Sequence, residues 1–138
     1  MSPNLPEKIT AQEVPESERL NCLPRHFGRW MLHVENLIYD FMREMSPDYN
    51  GAYWRFFDLS NGGFYMSPDL NAERVRVQIE NGYAGLMTAD AAGITACLFA
   101  LSHFSFAVKD DAITNHFHWL REYALNHPEA SDIFRAID

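Results

Sequence analysis

The sequence predicts an α+β fold, a small antiparallel sheet of three to four strands packed with one long N-terminal helix and two to three C-terminal helices. Three observations carry this. Apolar residues recur at helical spacing from Phe27 to Met45; the middle of the chain switches to short β-type segments separated by turn signals; helical spacing returns after Thr88. Helix, strands, then helices is the order of an α+β domain.

The elements follow in chain order. Residues 1–13 are polar, carry Pro3 and Pro6, and read as a loose arm, which leaves residues 14–138 as one domain. Val14 to Leu20 reads as a short helix, because Pro15 suits a first helical position and acidic residues follow it. Phe27, Trp30, Met31, Val34, Leu37, Ile38, Phe41, Met42 and Met45 form an i, i+3, i+4, i+7 stripe. That spacing predicts a helix of about five turns ended by Ser46-Pro47. A methionine and aromatic stripe at this period is a core-facing surface, and His33 falls outside it.

Strands are predicted at Tyr53 to Leu59, Phe64 to Met66, Val75 to Ile79 and Tyr83 to Met87. Asn61-Gly62-Gly63, Ser67-Pro68-Asp69 and Asn81-Gly82 separate them, and Asn-Gly supplies the positive φ that tight hairpins need, so the segment reads as an antiparallel meander. Val75, Val77 and Ile79 alternate with Arg74, Arg76, Gln78 and Glu80, which predicts one buried and one wet face. Thr88 caps a helix whose residues are apolar almost all round, making it the central one. A further helix runs from Asp111 to Asn126 with Asp110 and Asp111 at its start, and His127-Pro128 leads into a last short helix ending near Ile137.

Length and composition bound the rest. At 138 residues and 47% hydrophobic, the chain suffices for one core and is short for two domains. Ten Phe, six Tyr and three Trp supply much of the apolar area needed to offset chain entropy. A net charge of -8 argues against a surface that grips phosphates. Cys22 and Cys97 stand in no metal or redox spacing and are expected to be free thiols, which suits a reducing compartment. The first residues hold no apolar signal region, and no run reaches ~18 consecutive apolar residues, so a cytoplasmic location is expected.

No motif in the chain specifies catalysis. The six His include no HExxH and pair with no cysteine at zinc spacing, and His116-x-His118 directs its rings to opposite sides of a helix. Cys97 on an apolar helix face reads as a small buried hydrophobe, not a nucleophile. Neither Asn61-Gly62-Gly63 nor Gly82-x-x-Gly85 matches a phosphate-binding loop. From the residues alone no catalytic, cofactor or metal site is assigned, although an enzyme using His26 or Cys97 stays open as an alternative, as does a DNA-associated regulator.

Six blocks in register carry a resemblance. They are Leu23-Pro24-Arg25-His26-Phe27-Gly28, Tyr49-Asn50-Gly51-Ala52-Tyr53-Trp54, Leu59-Ser60-Asn61-Gly62-Gly63-Phe64-Tyr65-Met66, Asn81-Gly82-Tyr83, Ala89-Asp90-Ala91-Ala92-Gly93-Ile94, and Tyr123-Ala124-Leu125-x-His127-Pro128-Glu129-Ala130. From about Ile9 onward the chain resembles the ArdB/KlcA antirestriction family. The resemblance implies a small α+β protein of bacterial mobile elements that protects incoming unmodified DNA from type I restriction-modification enzymes. It also implies no catalysis and no cofactor, and a protein partner, the restriction complex, in place of nucleic acid or membrane. Arg25, His26, Asn61, Tyr65 and Asp90 lie in these blocks without being demanded by the core stripes, and are the candidate partner-contact residues.

Overall fold

A computed structural model describes residues 8–138, so the expectation for the first seven residues of the arm lies outside the described residues. In chain order the elements are β1 (Ala11–Glu13), α1 (Arg19–Phe27), α2 (Met31–Met45), β2 (Tyr53–Leu59), β3 (Phe64–Asp69), β4 (Val75–Gln78), β5 (Ala84–Met87), α3 (Ala89–Ala107), α4 (Asp111–Ala124) and α5 (Ala130–Ile137). The architecture is α+β with antiparallel pairing throughout the described sheets.

Helix α3 is the hub. It packs against β3, α2, α4 and α5, and from Ala91 to Leu98 every residue is buried. Its length and apolarity would suffice to cross a membrane, but here the neighbouring elements cover those residues. As expected, the Thr88 hydroxyl caps it by accepting from the Ala91 amide at 3.2 Å. Helix α4 starts the same way, with the Asp110 carboxylate accepting from Ala112 at 2.9 Å. Close approach of α3 to β3 depends on Gly93. A Cβ there would lie 2.6 Å from the Met66 carbonyl oxygen and from Ser67 Cα.

Besides β3 running on through Ser67-Pro68-Asp69, which read as a separator, three features depart from the sequence expectations. First, Ala11–Glu13, placed in the loose arm, pair with β2 as Ala11↔Leu59 to Glu13↔Phe57 and complete a sheet ordered β1-β2-β3. Second, β3 and β4 do not pair, so the meander is split, and β4 and β5 form a separate hairpin in the register Val75↔Met87 to Gln78↔Ala84. Its alternation holds, with Val75 and Val77 buried and Arg76 and Gln78 exposed.

Third, the long helix expected from Phe27 starts only at Met31, and a separate helix precedes it. Gly28 adopts φ 51°, ψ -127°, which ends α1 at Phe27, and a 3-10 turn over Gly28–Trp30 redirects the chain into α2. The expected short helix at Val14 to Leu20 is a 3-10 turn, Glu16–Glu18, followed by α1. Pro24 hid α1 from the pattern. Its missing N–H would have bonded the carbonyl of Leu20, and Leu20 is 92% exposed, so water can meet that carbonyl.

Both Asn-Gly turns use one device. Gly62 and Gly82 take φ 101° and 99°. In each turn the Asn side-chain oxygen accepts from the amide two residues on, Gly63 at 3.1 Å and Tyr83 at 2.9 Å. The same side chains then donate to helix carbonyls, Asn61 to Trp119 at 2.9 Å and Asn81 to Ala136 at 3.0 Å. Each turn therefore fastens a hairpin to α4 or α5.

Candidate functional site

Four of the five sequence candidates fall into two polar clusters, and Asn61 stands apart in its turn, bonded to Gly63 and Trp119. The first forms where α1 crosses β2. Arg25 donates to Asp58 Oδ2 at 3.1 Å, and His26 Nε2 lies 2.7 Å from Asp58 Oδ1. A carboxylate accepts, so the imidazole donates from Nε2. Burial pulls the His26 pKa below its ordinary value despite the nearby carboxylate, and His26 is a neutral donor near pH 7. Burial raises Asp58, but hydrogen bonds from His26 and Arg25 outweigh it and hold the carboxyl below its usual range.

Beside this pair, Arg25, His26, Gly62, Asn115, His116 and Trp119 line a cleft of about 400 Å³. His116 is 4% exposed, and its Nε2 lies 3.2 Å from the His26 carbonyl oxygen, which makes Nε2 the protonated nitrogen. Nδ1 is then a bare, buried acceptor with no partner among the described residues. Leaving such an atom unmet costs about 1–3 kcal/mol. His118 is exposed, so the two rings do face opposite sides of α4.

Tertiary structure also corrects the expectation that no cysteine stands at a metal spacing. Cys22 and His26 are i, i+4 on α1, and with Asp58 their ligand atoms lie within 4.8 Å of one another. Thiol, imidazole and carboxylate are a zinc-type donor set. One feature opposes an ion there: the Arg25 guanidinium already occupies the same carboxylate. Burial first and then Asp58 push the Cys22 pKa up to about 11. Burial likewise pushes Cys97 up to about 12, and its thiol faces the Met66 carbonyl as a core group.

The second cluster ties α3 to the loop before α5. Tyr65 donates to Asp90 Oδ1 at 2.7 Å, and His127 Nε2 lies 2.8 Å from Asp90 Oδ2. His127 Nδ1 accepts from the Glu129 amide, so Nε2 carries the proton and donates to Asp90. Glu129 accepts from the amide and hydroxyl of Thr88 and lies 3.7 Å from Arg74. Tyr65 is only 2% exposed and stacks between Phe57 and Tyr123, with ring centroids 4.7 and 5.6 Å away. It is a core residue.

The structure therefore brings Arg25 and His26 together on Asp58, leaves Asn61 in its turn against Trp119, and places Tyr65 and Asp90 in a separate brace. Arg25, whose side chain is 51% exposed against 37% for Asp58, is the most accessible charge in the first cluster. Sequence reasoning missed Asp58, His116 and Trp119. Only the Cys22 to His26 spacing signalled the first cluster, whereas His127 and Glu129 already stood in a recognisable block.

Comparison with known proteins follows the same lines. A family model described as "Antirestriction protein" matches residues 47–138. The chain is 46% identical over 138 residues to the antirestriction protein KlcA of Escherichia coli, covering 96% of each. It is 43% identical over 141 residues to YafX of Escherichia coli K12, covering 98% of this chain and 92% of the relative. A solved chain superimposes with a TM-score of 0.89 at 45% identity, covering 99% of this chain and all of the other. It comes from the KlcA and ArdB proteins, described as having a novel fold and antirestriction activity against type I DNA restriction systems in vivo but not in vitro.

Proposed function

The chain belongs to the antirestriction protein family, and on that premise we propose that it protects incoming unmodified DNA from type I restriction enzymes by contacting protein, not by imitating DNA. The observation that carries the second half is how its charge is spent. Among the described residues seven arginines each lie within 4.0 Å of a carboxylate, from Arg19–Glu16 to Arg135–Asp132. Duplex DNA carries one charge per ~1.7 Å of axis, so imitating ten base pairs needs about twenty carboxylates in two tracks. The chain has 19 in all, interspersed with 11 Lys or Arg. It has too few to spare.

The reading is also non-catalytic and places the protein in the cytoplasm. Both thiols are protonated near pH 7, and Cys22, the one with an ionisable neighbour, faces Asp58, which disfavours a thiolate. The relatives' activity in vivo but not in vitro supports contact with an enzyme state or companion that exists only in the cell.

The test is plating of unmodified phage on cells that hold a type I system and express the protein. Plating efficiency should rise, and no rise in a well-expressing strain removes the reading. A gel shift of the type I enzyme on its target, with the protein titrated in under conditions where inhibition is confirmed in parallel, tests the mechanism. The enzyme should stay on its DNA, and stoichiometric displacement would establish mimicry instead.

A further inference from the structure

The described surface holds a second concavity, on the side of the molecule formed by α2, β4, α3 and α5. It is a groove of about 620 Å³. Its apolar lining includes Phe41, Phe99 and Ile79, each only partly buried, and the two Phe rings stack at 5.6 Å with an interplanar angle of 16°. Glu44, Glu80 and Asp138 are exposed and line the same groove.

Among the described residues these carboxylates have no ion-pair partner, and unlike other unpaired acids such as Glu73 and Glu122 they gather around one apolar groove. Elsewhere arginines meet acids: Arg43 takes Asp40, Arg76 takes Asp48, and Arg135 takes Asp132. Among the described residues Glu44, Glu80 and Asp138 hold no ion pair, and no Lys or Arg lines the groove. Three unmatched negative charges therefore stand beside a partly buried aromatic pair. An arginine meets both demands at once, since its guanidinium lies flat on aromatic faces and forks onto carboxylates. An apolar neighbour in the same segment would cover the rest of the lining.

We propose that this groove docks an arginine-bearing, otherwise apolar segment of the protein partner through which the chain blocks restriction. The inference rests on the protein-contact reading above and names the surface and the chemistry of what meets it. Charge complementarity sets the choice of occupant. A polyanion such as DNA is repelled from this face, and an uncharged apolar segment would leave all three carboxylates unmatched.

The experiment is the plating assay with the full chain carrying E44K/E80K, beside the wild type and a control, E73K/E122K, which reverses two exposed acids outside the groove. All four positions are exposed, so the folds should survive, and thermal melting of each purified protein checks this. Placing like charges across an interface should cut protection about tenfold or more for E44K/E80K, while the control stays near wild type. If E44K/E80K fails to fold, E44Q/E80Q replaces it and should lose a smaller but measurable part. Full protection by the folded groove variant overturns the proposal, and so does an equal loss in the control, which would mean bulk charge. Sedimentation of wild type and variant covers another occupant: a wild-type dimer that E44K/E80K breaks would put a second copy in the groove and overturn it too. Wild type that does not protect at all refutes the protein-contact reading itself, a result distinct from any of these.

Discussion

Replacing Gly93 by Ala should destabilise the protein although alanine is the better helix former. Gly93 sits inside α3 where that helix meets β3. The added Cβ would lie 2.6 Å from the Met66 carbonyl oxygen, from Ser67 Cα and from Ser67 Cβ. Ordinary carbon contacts begin near 3.5 Å, so helix and strand must separate by about 1 Å. The obstacles are largely backbone of a buried strand, which cannot swing aside. Overpacking of this kind costs about 1–3 kcal/mol and sometimes more, against about 1 kcal/mol gained in helix propensity. Because α3 packs on four elements, the upper end applies, and the net loss should be about 2 kcal/mol. For a chain of this size that is a fall of about 6–8 °C in Tm. Urea unfolding and thermal melting measure it. Gly85→Ala is the comparison: its Cβ also meets an atom at 2.6 Å, but that atom is the Tyr83 hydroxyl, whose displacement strains a side chain and its bond to Asp132 and moves no strand backbone. Gly85→Ala should cost less than Gly93→Ala. A rise in Tm for Gly93→Ala, as in a solvent-facing helix, would refute the close-approach argument.

Other consequences are as direct. Gly62→Val forces a β-branched residue to φ 101° and should cost on the order of 1–3 kcal/mol by denaturant unfolding; lost protection with an unchanged melt would make the turn a contact site instead. Burial, then neighbouring His26, pulls the His116 pKa down to about 4, so between 6.5 and that value the unfolded chain takes up a proton the native state refuses. Stability is thus fully present above about pH 6.5 and declines below it, by about 2 kcal/mol at pH 5. His116→Phe should flatten that window in urea titrations, and an equally steep decline in the variant would assign it elsewhere. Chelator should leave the melt unchanged, because Arg25 already neutralises the Asp58 carboxylate beside Cys22 and His26; a drop of many degrees would make that trio a structural metal site.

What the sequence determined by itself is local. The stripe from Met31 to Met45, the caps at Thr88 and Asp110, the Asn-Gly turns and the alternation of Val75 and Val77 all depend on neighbours within a few residues, where spacing translates directly into geometry. The family blocks were legible for the same reason, since they are contiguous runs. Element boundaries failed where backbone conformation overrode pattern, as at Gly28, whose positive φ breaks a stripe that side chains alone would carry through. Tertiary structure alone decided the rest. Residues 11–13 become a strand only because β2 offers an unpaired edge. Asp58 reaches Arg25 and His26 across more than thirty residues of chain, and Tyr65 is buried because Phe57 and Tyr123 sandwich it from two other elements. The unmatched carboxylates of the groove were equally hidden, because whether an acid has a partner depends on which arginine the fold brings within reach, and chain spacing carries no record of that distance.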